Sequence, residues 1–157
     1  MGFKIIDNFL SDFDSLRDYC DQVNYDGVTN PADNVFYDGV TLDIPDAVQK
    51  EVIQNLTEVM GRKVTLNSIF MRLSKQFTPC PHQAHTDKLM GNFSLMLYLN
   101  RLEDCEGGTT LVIHKEGLIN STPINDKQFK VWQRDVNTPD AWQITDISQM
   151  LPNRACI

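Results

Sequence analysis

The pattern of apolar residues changes period at Gly61, and that change limits the fold more than any other feature of the chain. Before it, two stretches carry apolar residues at helical spacing. Phe13, Leu16, Tyr19, Cys20 and Val23 mark a first helix, with Ser11 as its N-cap and Asp12 and Asp14 near its positive end. Val48, Val52, Leu56 and Val59 mark a second helix. Asp46 caps it, Gln49 follows three residues on as in a capping box, and Gly61 stops it. Residues 24–43 between them read as loop, with turns at Asp26-Gly27 and Asp38-Gly39. After Gly61 the apolar runs are short and strand-like, at residues 64–73, 93–99 and 109–114, with shorter candidates at 127–131 and 141–144. The opening residues 3–10 are strand-like too. Two helices followed by several strands predict an α+β domain, its helices packed on one face of a mostly antiparallel sheet or barrel.

The length of 157 residues fits one domain, and a chain of this size buries about 68–70% of its unfolded surface without a disulfide or metal staple. Apolar residues at 41% and charged residues at 22% exclude disorder, collagen and coiled coil. Fourteen Lys and Arg against 21 Asp and Glu leave a net charge of −7, which repels phosphate backbones and argues against nucleic acid as a partner. The longest clean apolar run covers residues 95–99, far short of the about 20 residues a membrane span needs. The opening Met1-Gly2-Phe3-Lys4-Ile5-Ile6 has neither a signal-peptide pattern nor the Ser or Thr at position 6 that myristoylation uses. Cys20, Cys80, Cys105 and Cys156 form no CxxC pair and read as reduced thiols rather than a zinc site. A cytoplasmic location with no membrane partner is the expectation.

The residues with chemical potential are His85-Thr86-Asp87, in a long segment, 76–90, that holds two of the three histidines. In an extended backbone, residues i and i+2 point to the same face. An imidazole and a carboxylate so placed supply two thirds of a 2-His-1-carboxylate triad, which leaves open positions on Fe(II). The tripeptide alone is a weak signal, because chance produces His-x-Asp readily in an aspartate-rich chain.

Its context is more specific. Asn92-Phe93-Ser94-Leu95-Met96-Leu97-Tyr98-Leu99-Asn100 follows, then the acidic turn Glu103-Asp104-Cys105-Glu106, then Gly107-Gly108-Thr109-Thr110-Leu111. This order resembles the Fe(II)- and 2-oxoglutarate-dependent oxygenases, particularly the prolyl-hydroxylase-like branch. There a His-x-Asp pair precedes a strand ending in Tyr-Leu-Asn, and a Gly-Gly-x-Thr or Gly-Gly-x-Leu strand follows. Ile5-Ile6-Asp7-Asn8-Phe9-Leu10-Ser11 is similar to the start of many members, and Ile113-His114-Lys115-Glu116-Gly117 to a bacterial and phage subgroup. The resemblance touches residues 5–11 and runs densely from 69 to 118.

The resemblance implies a double-stranded β-helix, or jelly-roll, core in a single domain 1–157, helical over 1–62 and stranded over 63–157. It implies Fe(II) on His85 and Asp87, and 2-oxoglutarate as co-substrate beside Thr110. Arg72 lies on the strand before the metal segment, where a polar side chain enters the site; an exposed edge arginine is the competing reading. Gly107 and Gly108 are either a tight approach to the following strand or an ordinary hairpin turn. Tyr98 reads as core packing, with Leu97 facing inward. The implied activity is oxidative decarboxylation of 2-oxoglutarate coupled to hydroxylation of a peptide, an amino acid or a small metabolite.

The chain departs from the family where the third ligand belongs. No histidine follows His114, and no arginine follows it at the position that pairs with the far carboxylate of 2-oxoglutarate. The ending Pro152-Asn153-Arg154-Ala155-Cys156-Ile157 looks like the start of the strand before that histidine. The expectation is therefore a truncated product of a longer reading frame, inactive by itself and incomplete at the C-terminal edge of the jelly roll. An exposed sheet edge there invites a homodimer. His82 and His114 are alternative third ligands, His114 reading more readily as a surface or hydrogen-bonded histidine, and Arg154 stands too early to be the clamp. A non-catalytic relative of the oxygenases is the second reading. A cupin-like barrel is a third, disfavoured by the few histidines.

Overall fold

The computed structural model describes residues 2–30, 34–75, 84–87, 90–117 and 125–157. In chain order the elements are β1 (Ile5–Ile6), α1 (Phe13–Cys20), β2 (Val28–Asn30), β3 (Val35–Tyr37), β4 (Val40–Thr41), α2 (Asp46–Met60) and β5 (Met71–Arg72). Then come β6 (Met96–Leu97), β7 (Gly108–His114), α3 (Asp126–Asp135), β8 (Trp142–Gln149) and β9 (Ala155–Cys156). The class is α+β. Every sheet is small and antiparallel, and among the described residues none closes into a barrel. No helix among them is long and apolar enough to cross a membrane. The chain divides into two compact units, Asn8–Thr78 and Met1–Asp7 with Pro79–Ile157.

Both N-terminal helices lie in the unit Asn8–Thr78. Asp12, not Ser11, caps α1: its carboxylate accepts from the Ser15 N–H at 3.3 Å. The Ser11 N–H instead donates to Glu51 on α2 at 2.6 Å, and Asn55 Nδ2 donates to the Phe9 carbonyl at 2.6 Å. These bonds seat the segment before α1 on α2. The first helix ends at Cys20 rather than Val23, because the Gln22 and Val23 N–H groups both turn back to the Tyr19 carbonyl. Pro45 is the N-cap of α2, and Gln49 Nε2 closes that end by donating to the Ile44 carbonyl at 2.9 Å, in place of a capping box. Gly61 ends α2 in the left-handed conformation at φ 63°, as its sequence position predicts. From the expected stripe, Val52 and Leu56 are fully buried and Val48 and Val59 partly so.

Two expectations in this unit are corrected. The 24–43 segment holds the β2–β3 hairpin and β4, between the expected turns at Gly27 (φ 84°) and Gly39 (φ 69°). The strand expected over 64–73 shrinks to Met71–Arg72, since its partner β4 offers two residues before the chain leaves toward Pro45. Val64 is buried, but its N–H is taken by the Thr57 hydroxyl rather than by a strand.

In the other unit, β9 is the middle strand of the order β1-β9-β6. Cys156 pairs with both Ile5 and Met96, and Ala155 with Ile6 and Leu97. The strand expected over 93–99 is therefore reduced to Met96–Leu97, the length that β9 covers. Asn153 makes the turn into β9 at φ 55°, a conformation asparagine tolerates. The largest sheet is β7 with β8, in register from Gly108↔Gln149 to His114↔Trp142. A bulge between Leu111 and Val112 leaves Thr145 unpaired, and its hydroxyl donates to the Leu111 carbonyl at 3.2 Å.

The expected strand at 127–131 is α3 instead. Asn125 caps it by accepting from the Gln128 N–H at 3.0 Å, and Asp126 sits in the positive first turn. The short candidate at 141–144 extends to the eight residues of β8.

Candidate functional site

Residues 84–87 form neither helix nor strand, with a bend at Ala84. His85 Nε2 and Asp87 Oδ1 lie 3.8 Å apart, and both side chains are about half exposed, at 55% and 45%. Adjacent ligands about 2.1 Å from one metal ion stand about 3 Å apart at a right angle. A small rotation of either side chain closes that difference. The other carboxylate oxygen, Oδ2, accepts from the Ser94 hydroxyl at 3.0 Å, which leaves Oδ1 turned toward His85. The Met90 N–H donates to the Asp87 carbonyl at 2.7 Å.

The segment is anchored one residue upstream. Ala84 is buried, at 7% exposure, and α3 holds both its backbone groups. The Ala84 N–H donates to the Val136 carbonyl at 3.1 Å, and Trp132 Nε1 donates to the Ala84 carbonyl at 2.9 Å.

Next to that contact, the buried Asp135 and His114 are joined by the exposed Arg134. The Asp135 carboxylate is gripped by Arg134, Nε to Oδ1 at 2.7 Å and Nη2 to Oδ2 at 2.5 Å, and by His114 Nε2 at 2.9 Å. The Arg134 hydrogen bonds, then that of His114, hold the Asp135 pKa down to about 2 against desolvation. The carboxylate therefore stays ionised, and His114 Nε2 donates to it. His114 Nδ1 is buried without a hydrogen-bond partner among the described residues. Trp142 packs edge-on against the His114 ring at 5.2 Å, and its Nε1 donates to the Asp135 carbonyl at 2.7 Å. His114 is thus the hydrogen-bonded histidine of the sequence reading.

Thr110 is exposed in the middle of β7 and pairs with Ile147. The bulge after Leu111 separates it from the buried end of the strand at His114. Ile147 is more than half exposed, so Thr110 sits beside an open apolar side chain. Arg72 is exposed on β5 in the unit Asn8–Thr78, paired with Val40. His82 and Cys80 lie outside the described residues; Cys20, Cys105 and Cys156 are free thiols. Arg154 forms a two-pronged ion pair with Asp7, Nε to Oδ1 at 2.6 Å and Nη2 to Oδ2 at 3.0 Å, so its guanidinium is engaged within its own sheet.

The structure therefore brings His85 and Asp87 together. Among the described residues, no group of three or more His, Cys, Asp or Glu side chains is placed to hold a metal ion. Three contributors escape a sequence reading. Ser94 stands seven residues from the aspartate it orients, and Trp132 and Asp135 lie about fifty residues beyond the pair they support. The tryptophan within a capped helical pattern is the signal that leads to Trp132.

Tyr98 is buried, as expected of a core residue. Its hydroxyl lies 3.1 Å from the Ser148 carbonyl and 2.8 Å from Thr109 Oγ1. Because a carbonyl only accepts, the tyrosine proton goes to Ser148 and Thr109 donates to the tyrosine oxygen. Burial raises the Tyr98 pKa above the ordinary tyrosine value.

Comparison with protein-family models, with curated proteins and with solved structures finds no significant match.

Proposed function

We propose that this chain carries the histidine and carboxylate ligands of an Fe(II)- and 2-oxoglutarate-dependent dioxygenase site on a jelly-roll core. The observation that carries the reading is the convergence of His85 Nε2 and Asp87 Oδ1 to 3.8 Å, directly after the backbone anchor at Ala84. The order of motifs from His85 through Tyr98 to Thr110 supports the same reading. An imidazole and a carboxylate suit Fe(II) in chemistry as well as spacing. Bound there with 2-oxoglutarate, the iron would supply the oxygen activation that hydroxylates an unactivated C–H bond.

The protein's own part is positional. His85 and Asp87 hold the metal, and Ser94 keeps one carboxylate oxygen occupied so that the other faces inward. Thr110 donates its hydroxyl to a 2-oxoglutarate carboxylate, and Ile147 opposite it offers an apolar contact. The substrate class is a peptide, an amino acid or a small metabolite, in a cytoplasmic setting. A second copy pairs along an open sheet edge; a purely monomeric sizing profile at high concentration contradicts that assembly.

The test is oxygen-dependent turnover. Purified chain with Fe(II), 2-oxoglutarate, ascorbate and a panel of peptides and amino acids is assayed for succinate. Succinate that disappears in the His85→Ala, Asp87→Ala variant supports the enzyme. Succinate formed equally by that variant contradicts it. One observation favours a second reading, a non-catalytic relative of the oxygenases: no third ligand accompanies the pair among the described residues. On that reading the chain binds metal and 2-oxoglutarate weakly or not at all, and yields no succinate.

A further inference from the structure

We infer that Trp132 is a positioning residue for the His85–Asp87 pair, its indole N–H fixing the backbone from which the pair projects; this rests on the metal-site reading above. Ala84 directly precedes His85, and α3 with the residue after it takes both of Ala84's backbone groups. The Trp132 indole donates to its carbonyl at 2.9 Å, and its N–H donates to the Val136 carbonyl at 3.1 Å. The contrast in burial shows what the contact does. Ala84 is 7% exposed, whereas the His85 and Asp87 side chains one and three residues later are half exposed. The exposed pair therefore follows directly on a buried attachment at Ala84.

That attachment is itself rigid. The Val136 N–H closes the helix end on the Trp132 carbonyl at 2.7 Å. The neighbouring Asp135 is held by His114, the last residue of β7, and by Trp142, the first residue of β8. A continuous set of hydrogen bonds thus runs from the strand bearing Thr110, through Asp135 and Val136, to Ala84. Only one of the two bonds at Ala84 comes from a side chain. Removing the Trp132 donor halves the anchor and leaves the ring, which stacks on Phe129 at 5.7 Å. Partners outside the ligand set typically change metal affinity 10–100-fold, and Trp132 acts one residue further out, so about a tenfold loss is expected.

The experiment uses the full chain with Co(II), a redox-quiet ion read by its visible absorption, in wild type, Trp132→Phe, and His85→Ala, Asp87→Ala. Amide hydrogen exchange of the metal-free proteins is read over residues 84–87 and over β7–β8. The expected result is saturable Co(II) binding by wild type, none by the double variant, and about tenfold weaker binding by Trp132→Phe. Exchange at 84–87 rises in Trp132→Phe while β7–β8 stays protected. Unchanged Co(II) affinity overturns the inference, including the case in which exchange rises, because Trp132 is then structural only. Unchanged exchange at 84–87 overturns it as well. If wild type binds no Co(II), the metal-site reading fails and this inference falls with it. Should Trp132→Phe lose protection across β7–β8, benzothienylalanine at position 132, which keeps the bicyclic shape without the donor, gives the same decisive comparison.

Discussion

Gly108 begins β7 at φ 151°, and a Cβ built there would lie 2.0 Å from the Ser148 carbonyl oxygen on β8. Backbone, not a flexible side chain, fills that space, so any larger residue must push the two strands apart. Gly107 has φ 73° and nothing within 4 Å of such a Cβ, so its demand is conformational alone. Gly108→Ala is expected to lower stability by about 1–3 kcal/mol in denaturant unfolding, and by more than Gly107→Ala; equal effects would show that the close approach to Ser148 is not what selects glycine. Tyr98→Phe is expected to cost about 0.5–1.5 kcal/mol, because it removes the buried hydroxyl's bonds to the Ser148 carbonyl and Thr109; a thermal midpoint equal to wild type would show that these bonds carry no stability. From the sequence the glycine pair supports either a tight strand approach or a simple turn. The choice depends on Ser148, forty residues away and invisible to local reading. Tyr98 was readable as core from its apolar neighbours, but its two oxygen partners were not.

The Asp135 cluster ties the end of α3 to β7 and β8, and it makes that junction sensitive to acid. Its pKa is about 2 in the folded protein against an ordinary 3.8. Between those values the unfolded chain binds the proton and the folded one does not. The cluster's contribution is therefore complete above about pH 4 and is lost as the pH falls toward 2. Wild type should lose thermal midpoint across that range more steeply than Asp135→Asn, which is already less stable at pH 5. Parallel curves would show that Asp135 carries no folding linkage. The helix that holds this residue is also where sequence reading failed. Phe129 and Val131 alternate like a strand, but Asn125 and Asp126 begin a helix, and Phe129, Trp132 and Val136 recur at its period. By contrast β7 was readable almost in full, since its β-branched run is bounded by glycines on both sides and pairs along its whole length. Residues 64–73 and 93–99 were over-read, because strand length is set by the partner, and β4 and β9 are two residues long.

The molecule combines two compact units, and the functional residues expected from sequence divide between them. His85, Asp87 and Thr110 belong with Pro79–Ile157, and Arg72 with Asn8–Thr78. The α+β class followed from helical spacing before Gly61 and strand spacing after it. The small separate sheets did not follow, because sheet order rests on long-range pairs such as Ile5↔Cys156. The His-x-Asp pair was readable because its two residues are close neighbours in sequence, at i and i+2. Its support by Ser94 and Trp132 depends on tertiary contacts. The proposal that His85 and Asp87 bind iron with 2-oxoglutarate is tested most directly by anaerobic titration of the purified chain with Fe(II) and 2-oxoglutarate, followed in the visible. A charge-transfer band that saturates in wild type and is absent from the His85→Ala, Asp87→Ala variant is the predicted result. No band in wild type, or an equal band in the variant, would contradict it.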